Sequence, residues 1–208
     1  SLDLSTGMTI EAWVRPTSTS GWRTVVMKEA PGELAYTLYS TDPDHNRYPS
    51  GWIRHPGTPA GVSSKYTEGT AIPATNAWVH LATTYDGTNL VLFVNGVQVR
   101  TRVYAGTIQQ TNDPLRIGGN AVWGEYFRGQ IDEVRIYNRA LTAAEIQTDM
   151  NTPLGTPDTT PPTVSVTAPA NGATVAGTLN VTANASDNIS VAGVQFKLDG
   201  NNLGAEDT

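Results

Sequence analysis

Trp78 to Val99, WVHLATTYDGTNLVLFVNGVQV, decides the fold. Trp78 to Tyr85 alternates apolar with polar residues, and Asn89 to Asn95 does the same. Alternation over short runs bounded by Asp, Asn and Gly is the pattern of half-buried strands. Asp86-Gly87 and Asn95-Gly96 are both hairpin signals, because a type I′ turn needs positive φ at its two central residues. The second dipeptide separates LVLFV from VQVRTRV, which predicts a hairpin there. Working outward, Met8 to Arg15 places Ile10, Ala12 and Val14 on one face and Thr9, Glu11 and Trp13 on the other. Arg128 to Tyr137 repeats the pattern. The dominant period is two, so the chain reads as all-β.

One segment departs from it. Leu141 to Met150, LTAAEIQTDM, reads as a short helix with Thr142 as N-cap and Glu145 completing a capping box. Its apolar side, Ala143, Ile146 and Met150, is small and is expected to tuck against a sheet edge. Asn151, Thr152 and Pro153 end it. Residues 151–162 hold four prolines and read as an extended linker. A second strand-rich segment follows, with strands expected at Thr163–Ala168, Leu179–Ala185 and Val191–Leu198 and a turn at Asp199-Gly200.

Composition narrows the classes. The 208 residues carry 19 acidic and 13 basic groups, for a net charge of -6, and no Cys. Thiolate metal sites, disulfides and thiol nucleophiles are excluded. An acidic chain without a Lys/Arg block is a poor nucleic-acid binder. No apolar run approaches the ~20 residues of a membrane-spanning helix. The chain starts on Ser1 without an initiating Met and is read as a piece of a longer protein.

Several motifs resemble a known family. WVHLATTYDGTNLVLFVNGVQV, LRIGG, TGMTIEAWVRP and above all GQIDEVRIYNRALTAAEI are similar to the laminin-G-like branch of the concanavalin A-type jelly rolls. The resemblance covers most of residues 2–150. It implies a two-sheet antiparallel jelly-roll sandwich with one short helix, over residues 1–150, with the family's first strand missing. Residues 163–208 resemble the first half of a bacterial immunoglobulin-like domain, roughly half of the ~100 residues of a full sandwich.

Catalysis finds little support. Retaining glycosidases need two carboxylates about 5 Å apart, and no E-x-D spacing places two on one strand face. Asp132 and Glu133 point to opposite faces, and Glu68, Glu125 and Asp113 are isolated. There is no G-x-S-x-G elbow. Calcium is the metal that the resemblance implies, with Asp132 matching an aspartate of the family's late strand. The alternative for Asp132 is a bond to a backbone turn or to an arginine. Asp42 to Asn46 mimics half of an EF-hand loop but reads better as an exposed acidic loop.

Saccharide recognition combines an aromatic platform with a few polar groups that bind hydroxyls. Trp13 and Trp78 sit within strands and read as core. Trp22, Trp52 and Trp123 fall in Gly-flanked loops and, with Tyr48 and Tyr66, are the candidate platform, although each tryptophan also fits simple packing. Arg54, His55, Glu125 and Tyr126 are the polar and aromatic neighbours grouped with them. The irregular stretch 41–76 is long enough to carry a site. His80 reads as a buried, hydrogen-bonded histidine.

Together these features point to a non-catalytic module that binds a polysaccharide or cell-surface glycan, on a secreted or surface bacterial protein. The immunoglobulin-like segment would be a spacer. Two other classes fit the sequence. One is an adhesive or structural module that contacts other chains through the incomplete sandwich. The other is an accessory domain packed on a catalytic domain elsewhere in the parent protein.

Overall fold

A computed structural model of the chain describes residues 2–59, 62, 64–155, 160–188 and 191–207. It divides into two units, Ser1–Leu154 and Gly155–Thr208. The first unit is built from two five-stranded antiparallel sheets. Sheet 1 contains β1 (Met8–Pro16), β6 (Val79–Tyr85), β7 (Asn89–Val94), β8 (Val97–Val103) and β10 (Gly129–Tyr137), in the order β10-β1-β6-β7-β8. Sheet 2 contains β2 (Arg23–Ala30), β3 (Glu33–Asp42), β4 (Tyr48–Ile53), β5 (Lys65–Glu68) and β9 (Leu115–Ile117), in the order β5-β4-β3-β2-β9. The jelly-roll sandwich implied by the motifs is therefore present.

The alternating strands all belong to sheet 1. Ile10, Ala12, Val14, Leu81, Leu90 and Leu92 face inward against Val25, Val26, Tyr36, Leu38 and Ile53 of sheet 2. The Asn95-Gly96 turn forms as expected, with φ of 50° and 71°. The Asp86-Gly87 connection differs. Only Gly87 takes a positive φ, of 92°, and the loop has three residues because Asp86 Oδ1 accepts the N–H groups of Thr88 and Asn89 at 2.8 and 2.6 Å. The aspartate side chain replaces the second left-handed residue of a type I′ turn.

Sheet 2 carries no alternation, because β2 and β3 are buried on both faces. The stretch 41–76, expected to be irregular, supplies β4 and β5. Its YPSGWI run hides a central strand behind a Pro and a Gly. Gly51 is required where the sheets approach. A Cβ there would stand 2.2 Å from Thr83 Oγ1 of β6.

Helix α1 (Ala143–Asn151) has the Thr142 N-cap and the full capping box with Glu145. It lies on the outer face of sheet 1, not at an edge. Ile146 is fully buried against Ala82 and Phe93, which belong to inner strands of that sheet. The helix runs into the segment read as linker, and residues 156–159 of that segment lie outside the described residues. Trp13 donates from Nε1 to Met150 O at 3.2 Å, beneath the helix. Trp78, expected in the core, is 43% exposed. It precedes β6 and lines a small cleft with Pro49, Ile72 and Pro73.

A polar cluster lies between α1 and sheet 1. Glu11 and His80 are both fully buried. The two approach to 3.8 Å, Arg135 Nη1 stands 3.9 Å from Glu11, and Arg135 donates to Asp149 O at 3.0 Å. Neither ring nitrogen of His80 and neither oxygen of Glu11 has a hydrogen-bond partner. His80 is thus buried as expected but not hydrogen-bonded as expected. Burial, reinforced by neighbouring Asp149, pushes the Glu11 carboxyl up to about 8. Burial and the charge of Arg135 push the His80 imidazole down to about 4.

In the second unit, β11 (Thr163–Ala168) pairs antiparallel with β12 (Thr182–Ser186). β13 (Lys197–Leu198) and β14 (Asn201–Asn202) form a short hairpin around Asp199-Gly200. Val164, Val166 and Leu198 are exposed.

Two expectations follow. Gly51→Ala should destabilise the first unit by about 1–3 kcal/mol, as overpacking does. Thr83→Ala in the same chain should recover part of that loss, and thermal melts of the four variants measure the coupling. The second concerns pH. Above about 6.5 His80 is neutral both folded and unfolded. Unfolded Glu11 is ionised there, while folded Glu11 keeps its proton to about 8. The unfolded state binds fewer protons, so stability falls as pH rises from 6.5 to 8, by at most about 2 kcal/mol. Below 6.5 His80 opposes this trend, because its own contribution rises with pH. Glu11→Gln should flatten the decline above pH 6.5; an unaltered slope in that variant would rule out Glu11 as its source.

Candidate functional site

The outer face of sheet 2 carries an aromatic cluster. Tyr39 comes from β3, Trp52 from β4 and Tyr66 from β5, while Trp22 comes from the loop before β2. Trp22 packs on Tyr39 at 4.8 Å between ring centroids and edge-on against Trp52 at 6.0 Å. Trp52 stacks on Tyr66 at 4.8 Å, and His45 lies over Tyr66 at 4.0 Å. Strand alternation explains the set. Gly51 and Ile53 turn toward sheet 1, so Ser50 and Trp52 turn outward, and Trp52 Nε1 donates to Ser50 Oγ at 2.8 Å.

A loop before β10 closes one side of this face. Asn120, almost fully buried, holds it by three bonds of its side-chain amide. Its Nδ2 donates to Thr24 Oγ1 and to Glu125 Oε2, each at 2.8 Å. Its Oδ1 accepts the backbone N–H of Trp123 at 2.8 Å. Ala121 N donates to Glu29 Oε1 at 2.6 Å, which ties the loop to β2. Tyr39 OH donates to the same Glu125 oxygen at 2.9 Å.

The result is an open groove of about 330 Å³, lined by Trp22, Tyr39, Trp52, Trp123, Glu33 and Glu125 together with Leu34, Val62 and Ser64. The three loop tryptophans of the sequence reading converge on it. Their roles differ. Trp123 is 46% exposed, whereas Trp52 is 9% exposed and fixed by Tyr66. Trp22 is half-buried. Burial raises the Glu125 carboxyl above its ordinary range, against the lowering effect of the bonds from Tyr39 and Asn120. Burial also raises Asp42, against the bonds from His45 and Ser50.

The remaining candidates fall elsewhere or act differently. Arg54 is buried, and its guanidinium donates to the carbonyls of Thr58 and Pro59, at 3.0 Å each, and of Val62 at 3.3 Å. It pairs with Glu33 at 3.2 Å. It braces the groove wall through these bonds. His55 lies against Tyr85, with Nδ1 2.7 Å from Thr107 O, away from the groove. Tyr126 is 61% exposed and packs beside Gly119, lining a separate shallow cleft with Arg116 and Asn120.

Asp132 is exposed, at the bulge where β10 pairs with Trp13 of β1. Its Oδ1 accepts the backbone N–H of Glu133 at 2.8 Å, and Glu133 has a φ of 53°. Among the described residues no group of three or more His, Asp or Glu comes together to hold a metal. Calcium takes six to eight oxygens. Asp132 supplies one exposed carboxylate, one of whose oxygens already accepts a backbone N–H, so a calcium there would draw its other oxygens from backbone carbonyls.

Tyr39, Glu33 and Asn120 were not legible as site residues. Tyr39 and Glu33 lie on a strand without alternation. Asn120 follows two glycines and carries no local signal. The groove also brings together two carboxylates, Glu33 and Glu125, that are 92 positions apart in sequence and share no motif.

Comparison with known proteins places this geometry. Residues 162–208 match a bacterial Ig domain model. Pappalysin-1 of Mus musculus is 39% identical over 78 residues, a match that spans 35% of this chain and 5% of that protein. Domain 4 of AbnA, a GH43 extracellular arabinanase from Geobacillus stearothermophilus solved in complex with arabinotriose, superposes with a TM-score of 0.56 at 24% identity, covering 71% of this chain and 68% of that one. The CBM40 of the Ruminococcus gnavus IT-sialidase, solved with α2,3 sialyllactose, gives a TM-score of 0.55 at 16% identity, covering 71% and 83%. At those identities the superpositions show a shared fold. The laminin G-type model of the concanavalin A-like lectin/glucanases superfamily matches residues 1–147, and the chain belongs to that superfamily.

Proposed function

We propose that the first unit is a non-catalytic saccharide-binding module of a secreted or surface protein, with the groove over sheet 2 as its site. The observation that carries this reading is the convergence of Trp22, Trp52 and Trp123 from three separate segments on one open groove. A half-exposed indole, on a backbone anchored by a buried amide, is a surface for the C–H face of a sugar ring. Glu125, Glu33 and Ser64 beside it are acceptors for hydroxyls. A hydroxyl bonded to a carboxylate makes a charge-assisted bond, about twice as strong as a neutral one. Two proteins of this fold, AbnA domain 4 and the R. gnavus CBM40, were solved with saccharides bound, which agrees with the reading. Among the described residues no helix is long and apolar enough to cross a membrane.

Both groove carboxylates have structural duties. Glu33 is paired with Arg54, and Glu125 accepts from Tyr39 and Asn120. That arrangement suits recognition better than a proton relay. With a bound oligosaccharide, a reducing-end assay should detect no cleavage.

Titration with a panel of plant and cell-surface oligosaccharides, read by tryptophan fluorescence, tests the site. Trp123→Ala should weaken binding of any hit by about tenfold or more, the loss expected for an aromatic contact residue. Its melting temperature should stay close to that of the parent, because the side chain is largely exposed. Trp78→Ala, equally exposed but outside the groove, should bind as the parent does. Equal affinity in the two variants would move the site away from the groove.

A further inference from the structure

The groove's charges are unevenly compensated. Glu33 is neutralised by Arg54 at 3.2 Å. Glu125 is not, since its two partners, the Tyr39 hydroxyl and the Asn120 amide, are neutral donors. No Lys or Arg is among the described residues lining the groove. Asp42 and Asp44 add negative charge near enough to raise the Glu125 carboxyl. His45, the nearby basic group, is held by Asp42 at 2.8 Å and covered by Tyr66. Arg23, next to Trp22, is turned toward the Tyr126 carbonyl at 2.9 Å.

From this imbalance we infer that the groove selects neutral saccharides and rejects acidic ones such as uronates and sialosides. The inference rests on the groove being the saccharide site. A carboxylate on the ligand would enter a partly desolvated space already holding Glu125, with no Lys or Arg among the described lining residues to receive it. Repulsion between like charges a few ångströms apart is weakly screened in such surroundings. A neutral sugar meets the same Glu125 as an acceptor for its hydroxyls. The carboxylate thus acts as an attractive and a repulsive element at once, which is how a site discriminates between ligands of similar shape. The R. gnavus CBM40, which shares the fold, was solved with a sialylated ligand, so the fold alone does not set this preference.

The test uses the full chain on an array of immobilised neutral and acidic glycans, with each acidic glycan also presented as its methyl ester. Esterification removes the charge and leaves the ring in place. Signal is expected on neutral glycans and on esters, with free acids at least about tenfold weaker. Glu125→Gln should narrow that ratio, because the amide oxygen can still accept from Tyr39 while the charge is gone. A merely structural role for Glu125 would lower all signals together and leave the ratio unchanged. Equal or stronger binding to free acids, in a protein whose binding is lost on Trp123→Ala, would overturn the selectivity and keep the site. Absence of binding to every glycan would overturn the site itself, and the selectivity with it.

Discussion

The central strands of sheet 2, β2 and β3, are buried on both of their faces, and the groove follows from that constraint. The sheet's inner side packs on sheet 1, close enough at Gly51 and Thr83 to exclude a methyl group. Its outer side cannot be left as bare backbone and small polar groups if β2 and β3 are to exclude water. The chain covers it with large rings instead: Tyr39, Trp52 and Tyr66 from the strands, and Trp22 from the preceding loop. Rings of that size cannot close a curved surface completely. The space they leave is the groove, and the loop held by Asn120 gives it a wall.

The same constraint explains what could be read from the sequence. Sheet 1 turns apolar side chains toward the core and polar ones, Glu11 and His80 among them, toward its helix, so its strands alternate even in β6, where every residue is buried, and its turns announce themselves. The capped helix was equally legible, because Thr142 and Glu145 form a local signature three residues apart. Double burial erased the period-two pattern from β2 and β3. Pro49 and Gly51 disguised β4. The loop tryptophans stood out because aromatic residues flanked by glycine are conspicuous in any sequence. Arg54 and His55 stood out only by their closeness to Trp52 in the sequence, and both bond to backbone carbonyls instead. Asn120, which positions Trp123 and Glu125, looks like any loop asparagine until its three bonds are seen.

Two carboxylates in this unit show how placement sets their behaviour. Glu11 lies beneath α1 without a hydrogen bond, next to a histidine that burial keeps neutral, and it holds a proton far above the ordinary carboxylate range. Glu125 lies in an open groove and keeps two donors on one oxygen. The first is sealed and concerns stability alone. The second faces a space large enough for a ligand, and its charge is left for that ligand to meet.

The bulge at Asp132 and Glu133 has a further consequence. β10 is an outer strand of sheet 1, and outer strands offer unpaired backbone groups to any neighbouring chain. The left-handed Glu133 bends this strand locally, and Asp132 occupies one of its N–H groups. The other edges are guarded by different means: β9 has three residues, β5 has four, and β8 carries Arg100 and Arg102 on Glu68. The two large sheets of the first unit are therefore poor templates for adding a strand from another copy of that unit.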